Sequence, residues 1–539
     1  MSRHSLIHFA GTWKRLACTV SGVSVAALLL LLPQAKDALA ASAVPVRAAA
    51  ERLLRPANLL LPGTHDFWHT EGNGILDRHD HTIRIAGMNW SGLETREAVP
   101  GGLEAQDYRS ILRTIQANGY NTIRIPFSNE MVEAPIIPAH IRFSNSQGPI
   151  NTDLRGLTSI EILDQVVSYA GRIGLKVILD NHRSEAGSSA EESGLWYTSQ
   201  YPETAWIADW TALATRYRNT STVIGMDLRN EPHNAEKGGS CWDCGGPRDW
   251  HRAATRAGNA ILAVNPRLLI FVEGVDTYAG DTYWWGGNLE GVRRSPVQLS
   301  IPNRLVYSAH EYGPTEYPQP WFNTATSSQA LAEVWRRHWA FISEAGLAPV
   351  WIGEFGTPNG DADVKSQAPG SEGQWFTSLV AFLAAHPALN WTYWGINGED
   401  RYGLLDGAYS NRPLNALKAE ALASISNHVP NSSPALTASV PQPFPVTYPT
   451  TPPTFRQPGL SPTIALTSPD RSLSLQPVQL STTLHPESAH TRNSIRRLRT
   501  HSLTPSAEES VEGSIAASIH HAVSRANQDL TRDSQPGTR

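Results

Sequence analysis

Cysteine is nearly absent: the 539 residues hold three, Cys18, Cys241 and Cys244. The last two make one C-x-x-C, and with no second pair they cannot complete a zinc site. No thioredoxin-like βαβ pattern surrounds them, which argues against a redox centre. An excess of basic charge is missing too. The formal net charge is −5, so nothing points to nucleic acid. No Gly-rich phosphate fingerprint is present, and no His/Asp cluster has metal-ligand spacing. Neither a metal nor a cofactor is therefore expected. From Arg456 to the end there is no Trp, Tyr or Phe.

What is present begins with a leader. Arg3, Lys14 and Arg15 precede an uncharged, mostly apolar run from Leu16 to Leu32, and Ala38-Leu39-Ala40 offers a small-residue cleavage site. The run is shorter than the roughly 20 residues a spanning helix prefers, and Pro33 follows it. Residues 1–40 are read as a signal peptide, giving a secreted, extracellular protein with no membrane segment after cleavage. Cys18 leaves with that peptide. In an oxidising compartment Cys241 and Cys244, in the segment CWDC, are expected to form a local disulfide. It closes a very short loop and so pins local geometry more than global stability.

Residues 41–65 are a weakly patterned lead-in. Trp68 to Gly87 reads as a short hairpin with a Gly-Asn-Gly turn. Eight strand-like runs follow: Ile83–Asn89, Tyr120–Pro126, Leu175–His182, Val223–Asn230, Leu268–Glu273, Leu305–Tyr312, Val350–Phe355 and Asn390–Trp394. Stretches of helical period separate most of them, among them Thr158–Ile173 and Pro247–Val264. Repeated β-then-α order implies a parallel sheet with crossover helices, and eight repeats suggest a (β/α)8 TIM barrel of class α/β over residues 66–428. Several runs end in polar or aromatic groups: Arg124, His182, Asn230-Glu231, His310-x-Tyr312, Glu354 and Trp394. In a barrel all these ends open on one face, where active sites sit. From 429 to 539 the chain turns to a Pro/Ser/Thr-rich linker and an expected disordered tail. Without aromatic rings that tail cannot present flat platforms to a sugar.

Two glutamates stand out. Glu231 lies in RNEP at the end of the fourth run, and Glu354 in GEFG at the end of the seventh. Glycoside hydrolysis needs two carboxyl groups on either side of one bond, one to protonate the leaving oxygen and one to attack or activate water. Asn230 is placed to hydrogen-bond a sugar 2-hydroxyl, and Pro232 to fix the turn after the strand. Of the 17 Trp residues, all but Trp13 lie between Trp68 and Trp394, a density that suits both a core and platforms for sugar rings.

The ordered segments GMNWSGLET, YNTIRIP, LDNH, LRNEP, SAHEY, WIGEFG and TYW resemble glycoside hydrolase family 5, in clan A. They are similar to its bacterial endoglucanase branch, which shares stretches like GLTSIEILDQVVSYAGRIGLKVILD, LWYTS and FVEGVDTY-x-GD-x-YWWGGNL. The likeness runs from about Phe67 to Leu405. It implies a (β/α)8 fold and retention of anomeric configuration, with Glu231 as acid/base and Glu354 as nucleophile. The same resemblance puts Arg124 beside the nucleophile, His182 and Asn230 around the cleaved bond, and His310 and Tyr312 against the two carboxylates. Trp394 would floor a sugar ring. Trp285, in YWWGGN, is a further candidate for the cleft, while Trp196, Trp206 and Trp321 could be platforms or packing.

The chain also departs from those relatives. Several of them carry Cys after GLET and after the third-strand His; here Arg96 and the stretch RSEAGSS stand instead, so that loop disulfide is absent. Val99 to Gln106 reads VPGGLEAQ where relatives often place a Trp, so one aromatic subsite is missing. The expected activity is an endo-β-1,4-glucanase acting as a monomer on β-1,4-glucan polysaccharide or oligosaccharide. A mannanase or xyloglucanase of the same clan is the alternative within enzymes. Outside them stand a non-catalytic carbohydrate-binding barrel and a redox protein using Cys241 and Cys244.

Overall fold

The computed structural model describes residues 66–426, apart from 236–237. The expected signal peptide, the lead-in and the segment from 429 lie outside the described residues.

Eight parallel strands close into a barrel. In chain order they are β1 (Ala86–Asn89), β2 (Thr122–Ser128), β3 (Lys176–Arg183), β4 (Val223–Asp227), β5 (Leu269–Glu273), β6 (Leu305–Tyr312), β7 (Val350–Gly356) and β8 (Asn390–Tyr393). Each pairs with the next, and β8 returns to β1 through Trp391, Thr392 and Tyr393. Both faces of these strands are covered, which is why they read as near-continuous apolar runs. Alternate residues divide the labour. Ile123, Ile125, Val177, Leu179, Ile270 and Val272 pack outward with the helices. Ile178, Leu269, Phe271, Val306 and Trp351 form a separate inner cluster.

The N-terminal hairpin completes that inner cluster. His69–Glu71 and Gly74–Leu76 pair antiparallel around Gly72, whose φ of +56° favours glycine. Thr82–Ile83 then adds a third strand. Trp68, Ile75 and Ile83 join the inward residues at the N-terminal end of the strands, so the hairpin plugs the bottom of the barrel. The first expected run, Ile83–Asn89, is split between this plug and β1. At the break Arg84 donates to the carbonyls of Leu383, Leu389 and Ile425.

Crossover helices are α1 (Tyr108–Ala117), α2 (Ser159–Arg172), α3 (Glu203–Arg216) and α4 (Trp250–Val264). After β6 comes α5 (Ser328–Glu344), which passes through a π-helical turn at Arg336–Ala340, and then α6 (Glu372–Ala385). Helix α2 starts as its sequence requires: the Glu161 carboxylate accepts from the Thr158 N–H at 2.8 Å, which holds the first turn. Between β5 and β6 the described residues hold no α-helix. That crossover carries a small hairpin (Thr277–Tyr278 with Asp281–Thr282) and a 3-10 turn at Glu290–Arg293.

Candidate active site

Parity decides which side chains reach the barrel axis. On β2, Arg124 sits between outward Ile123 and Ile125 and so points inward. On β3 the inward series from Ile178 continues to Asp180. On β5 it runs Leu269, Phe271, Glu273, and on β6 Val306, Ser308, His310, Tyr312. Strand β7 breaks the alternation. Ala309 pairs with Ile352 but His310 pairs with Glu354, so Gly353 is an extra residue. The bulge turns Glu354 toward the same side as Trp351, three residues earlier. Bulges next to active sites commonly re-aim a side chain in this way.

Arg124 is fully buried and surrounded by acids. Its guanidinium lies 2.5 Å from Glu354 Oε1, 2.9 Å from Asp227, 3.1 Å from Asp180 and 3.5 Å from Glu273. It also donates to the side-chain oxygens of Asn89 (3.1 Å) and Asn230 (3.0 Å). The planar guanidinium fork can satisfy that many acceptors at once, which a lysine ammonium cannot. His310 lies between three carboxylates. Nδ1 is 3.0 Å from Glu231 Oε1 and 3.6 Å from Glu354 Oε2, and Nε2 is 3.2 Å from Glu273. Burial lowers its pKa, but the charges of Glu273 and Glu354 and the contacts to Glu231 and Glu273 outweigh it. His310 is therefore held well above the usual histidine range, as an imidazolium.

The two glutamates are pushed apart by these surroundings. Burial raises the Glu231 pKa and outweighs the opposing contact with His310, with Glu354 and Glu273 adding to the rise. Burial also acts on Glu354, but His310, Arg124, His182 and the Tyr312 hydroxyl together hold it below its ordinary value. Tyr312 Oη donates to Glu354 Oε2 at 2.8 Å. One oxygen of Glu231 and one of Glu354 lie within 4.8 Å of each other. A carboxyl group with a raised pKa and one with a lowered pKa thus face each other at the C-terminal mouth of the barrel, a pairing suited to cleaving an acetal. Glu231, His310 and Glu354 also have the donor types for a cation. Arg124, Tyr312 and the imidazolium already fill the positions around their oxygens.

Residues 77–400 match the family Cellulase (glycosyl hydrolase family 5). The chain belongs to glycosyl hydrolase family 5. An endoglucanase of Paenibacillus polymyxa is 44% identical over 355 residues, which cover 64% of this chain and 85% of that one. The major extracellular endoglucanase of Xanthomonas campestris pv. campestris is 35% identical, over 61% of this chain and 66% of the other. Among solved structures, an endocellulase of Pyrococcus horikoshii in complex with cellotetraose is 32% identical with a TM-score of 0.60, covering 67% of this chain and all of that one. The protein is a glycoside hydrolase of cellulase type.

In this family 5 enzyme the loop that carries Glu231 is held from below. Glu231 adopts a left-handed φ of +51°, and its N–H donates to Glu273 Oε2 at 2.8 Å. A Cβ added to Gly286 would fall 2.0 Å from that same oxygen and 3.2 Å from the Glu231 Cα, so only glycine lets the β5–β6 loop close over the pair. Next to Gly286, Trp285 is 47% exposed and stacks at 3.7 Å on His233, whose Nδ1 lies 2.8 Å from the Glu231 carbonyl. Across the mouth, half-buried Trp394 stacks on His182 at 5.5 Å, and His182 Nδ1 is 2.6 Å from Asp180.

The other tryptophans separate cleanly. Trp196 and Trp206 are fully buried and pack with Trp250, so they are core rather than platforms. Trp321 stacks on Tyr283 and packs against Phe322. Cys241 and Cys244 are joined, with Cα atoms 6.0 Å apart, in a loop tied to the start of α4: Cys241 N–H donates to Arg248 O, and Trp250 N–H to Cys241 O. Asn89, Asp180, Asp227 and Glu273 were not singled out from the sequence, although each lies at or near the C-terminal end of a strand. For Asn89, Asp180 and Glu273 inward parity was the available signal; Asp227 lies three residues past inward Ile224, beyond a register shift, and had none.

Proposed function

We propose that the protein is a secreted endo-β-1,4-glucanase that hydrolyses cellulose-type glucans with retention, using Glu231 as acid/base and Glu354 as nucleophile. The observation that carries this is the carboxyl pair within 4.8 Å, with the pKa of Glu231 raised and that of Glu354 lowered. An approach within 4.8 Å favours the short separation of retaining enzymes, roughly 5–5.5 Å, over the about 6.5–9.5 Å that admits the intervening water of inverting ones. Glu354 attacks the anomeric carbon while Glu231 protonates the departing glycosidic oxygen. Glu231 then takes a proton from water, which displaces Glu354 and restores the starting anomer. The Asn230 side-chain oxygen is held by Arg124, which leaves its amide NH2 to donate to a sugar 2-hydroxyl. Trp394 and Trp285 offer ring faces on either side of the mouth. The extracellular relative from Xanthomonas and the leader-like first forty residues support secretion. Among the described residues no helix is long and apolar enough to cross a membrane.

The test is product stereochemistry by proton NMR on a cello-oligosaccharide, with carboxymethyl cellulose, mannan and xyloglucan compared as substrates. Initial release of the β-anomer and preference for the cellulosic substrate are expected. Glu354→Gln should abolish turnover on every substrate. Glu231→Gln should spare the first step on aryl glucosides whose leaving groups need no proton. Release of the α-anomer would overturn retention, and activity confined to mannan would overturn the substrate.

A further inference from the structure

A second set of metal-binding side chains lies outside the catalytic pair. Asp281 belongs to the small hairpin after β5, Glu290 opens the 3-10 turn that follows, and His338 sits in the π-helical turn of α5. One donor atom from each falls within 4.8 Å of the other two. His338 Nε2 is 3.3 Å from Asp281 Oδ2 and 3.7 Å from Glu290 Oε1.

The histidine makes this more than an acidic cluster. It is 3% exposed, and its Nδ1 lies 2.8 Å from the carbonyl oxygen of Val334. A carbonyl only accepts, so Nδ1 carries the proton, and in the neutral form of the ring Nε2 offers a lone pair. That nitrogen has no hydrogen-bond partner, and the nearby groups are two carboxylates, which also only accept. The Arg337 guanidinium stands against the two carboxylates, but no donor reaches Nε2, and a lone pair facing two carboxylates is repelled unless a cation stands among all three. A ring fixed through Nδ1–H···O=C with Nε2 left over is the arrangement of metal-bound histidines. Tyr283 stacks on the ring at 3.9 Å and fixes its plane. Bonds of about 2.0–2.1 Å in a tetrahedral site put donor atoms roughly 3.3 Å apart, close to the two distances observed. Arg337 competes for the same oxygens, at 2.5 Å from Asp281 and 3.2 Å from Glu290. Its side chain is 62% exposed and free to turn into water.

We propose that Asp281, Glu290 and His338 form a structural site for a divalent transition cation of the Zn2+ class, with water completing the coordination and Arg337 displaced outward. One imidazole nitrogen with two carboxylates suits such an ion better than Ca2+ or Mg2+, which favour all-oxygen sites. The ion would clip the β5–β6 loop to α5 on both sides of the segment that carries Trp285 and Gly286. It would brace the loop that supports Glu231 and take no part in bond cleavage.

The test is calorimetric titration of chelator-treated full-length protein with ZnCl2, with Tm followed in parallel. One equivalent should bind per chain and raise Tm, and Co2+ should give tetrahedral visible bands. Asp281→Asn and His338→Gln should weaken binding about tenfold or more. Arg337→Ala should tighten it, and Glu231→Gln should leave it unchanged. Glu290→Gln carries the test if His338→Gln fails to fold. Absence of saturable binding, or binding lost in Glu231→Gln and kept in Asp281→Asn, would overturn the proposal.

Discussion

At the scale of single residues, the arrangement is a contest among charges over two carboxyls. Tyr312 donates to Glu354 and lowers its pKa. Tyr312→Phe removes that contribution, so Glu354 takes up its proton at a higher pH. The acid limb of kcat/KM should move upward while the alkaline limb, which the proposed mechanism assigns to Glu231, stays nearly fixed; pH–rate profiles on a soluble glucan check both. Glu231 and Glu354 were legible in the sequence because each ends an apolar run inside a motif. The orientation of Glu354 was not. Strict alternation from Trp351 would have turned it toward the helices, and only the bulge at Gly353 brings it in. Asp227 and Glu273 were hidden for a different reason. An acid at the end of a strand run carries no mark of which partner it meets, and Arg124 lies on another strand far away in sequence.

At the scale of elements, the β5–β6 loop differs most from a regular barrel unit. The sequence marked the strands on either side and the aromatic YWWGGN between them, but gave no sign that the crossover would lack an α-helix. Its support of Glu231 runs through Glu273, and Gly286 is the point of closest approach. Gly286→Ala should lower kcat tenfold or more while the protein stays folded, because Glu273 is buried among Arg124, His310 and the Glu231 N–H and cannot yield easily. Gly280→Ala is the matched control. Gly280 has a φ of +87° with nothing within 4 Å of an added Cβ, so it carries a similar backbone cost of about 1 kcal/mol with no push on Glu273. If both variants lose kcat equally, the cause is backbone strain and not the contact.

At the scale of the whole molecule, the eight-fold β-then-α order was readable from periodicity, and the hairpin from its Gly-Asn-Gly turn. What the hairpin does was not readable, since Trp68 meets its partners only when the barrel closes. Trp68→Ala should destabilise by about 3–5 kcal/mol, the usual range for deleting a buried large aromatic, as measured by urea denaturation.

That plug has a kinetic consequence. With Trp68, Ile75 and Ile83 packed under the barrel, the mouth is the route by which protons and water would reach His310 and the two glutamates, and a bound glucan chain would cover it. Substrate is then a second lid on an already closed vessel, and it deepens the desolvation that most raises Glu231. The alkaline limb of kcat should therefore lie at higher pH than that of kcat/KM, since the first titrates the occupied enzyme and the second the free one. Coincident limbs would mean that water still reaches Glu231 beneath the bound sugar. The enzyme would thus keep its acid protonated best when a chain is in place to receive the proton.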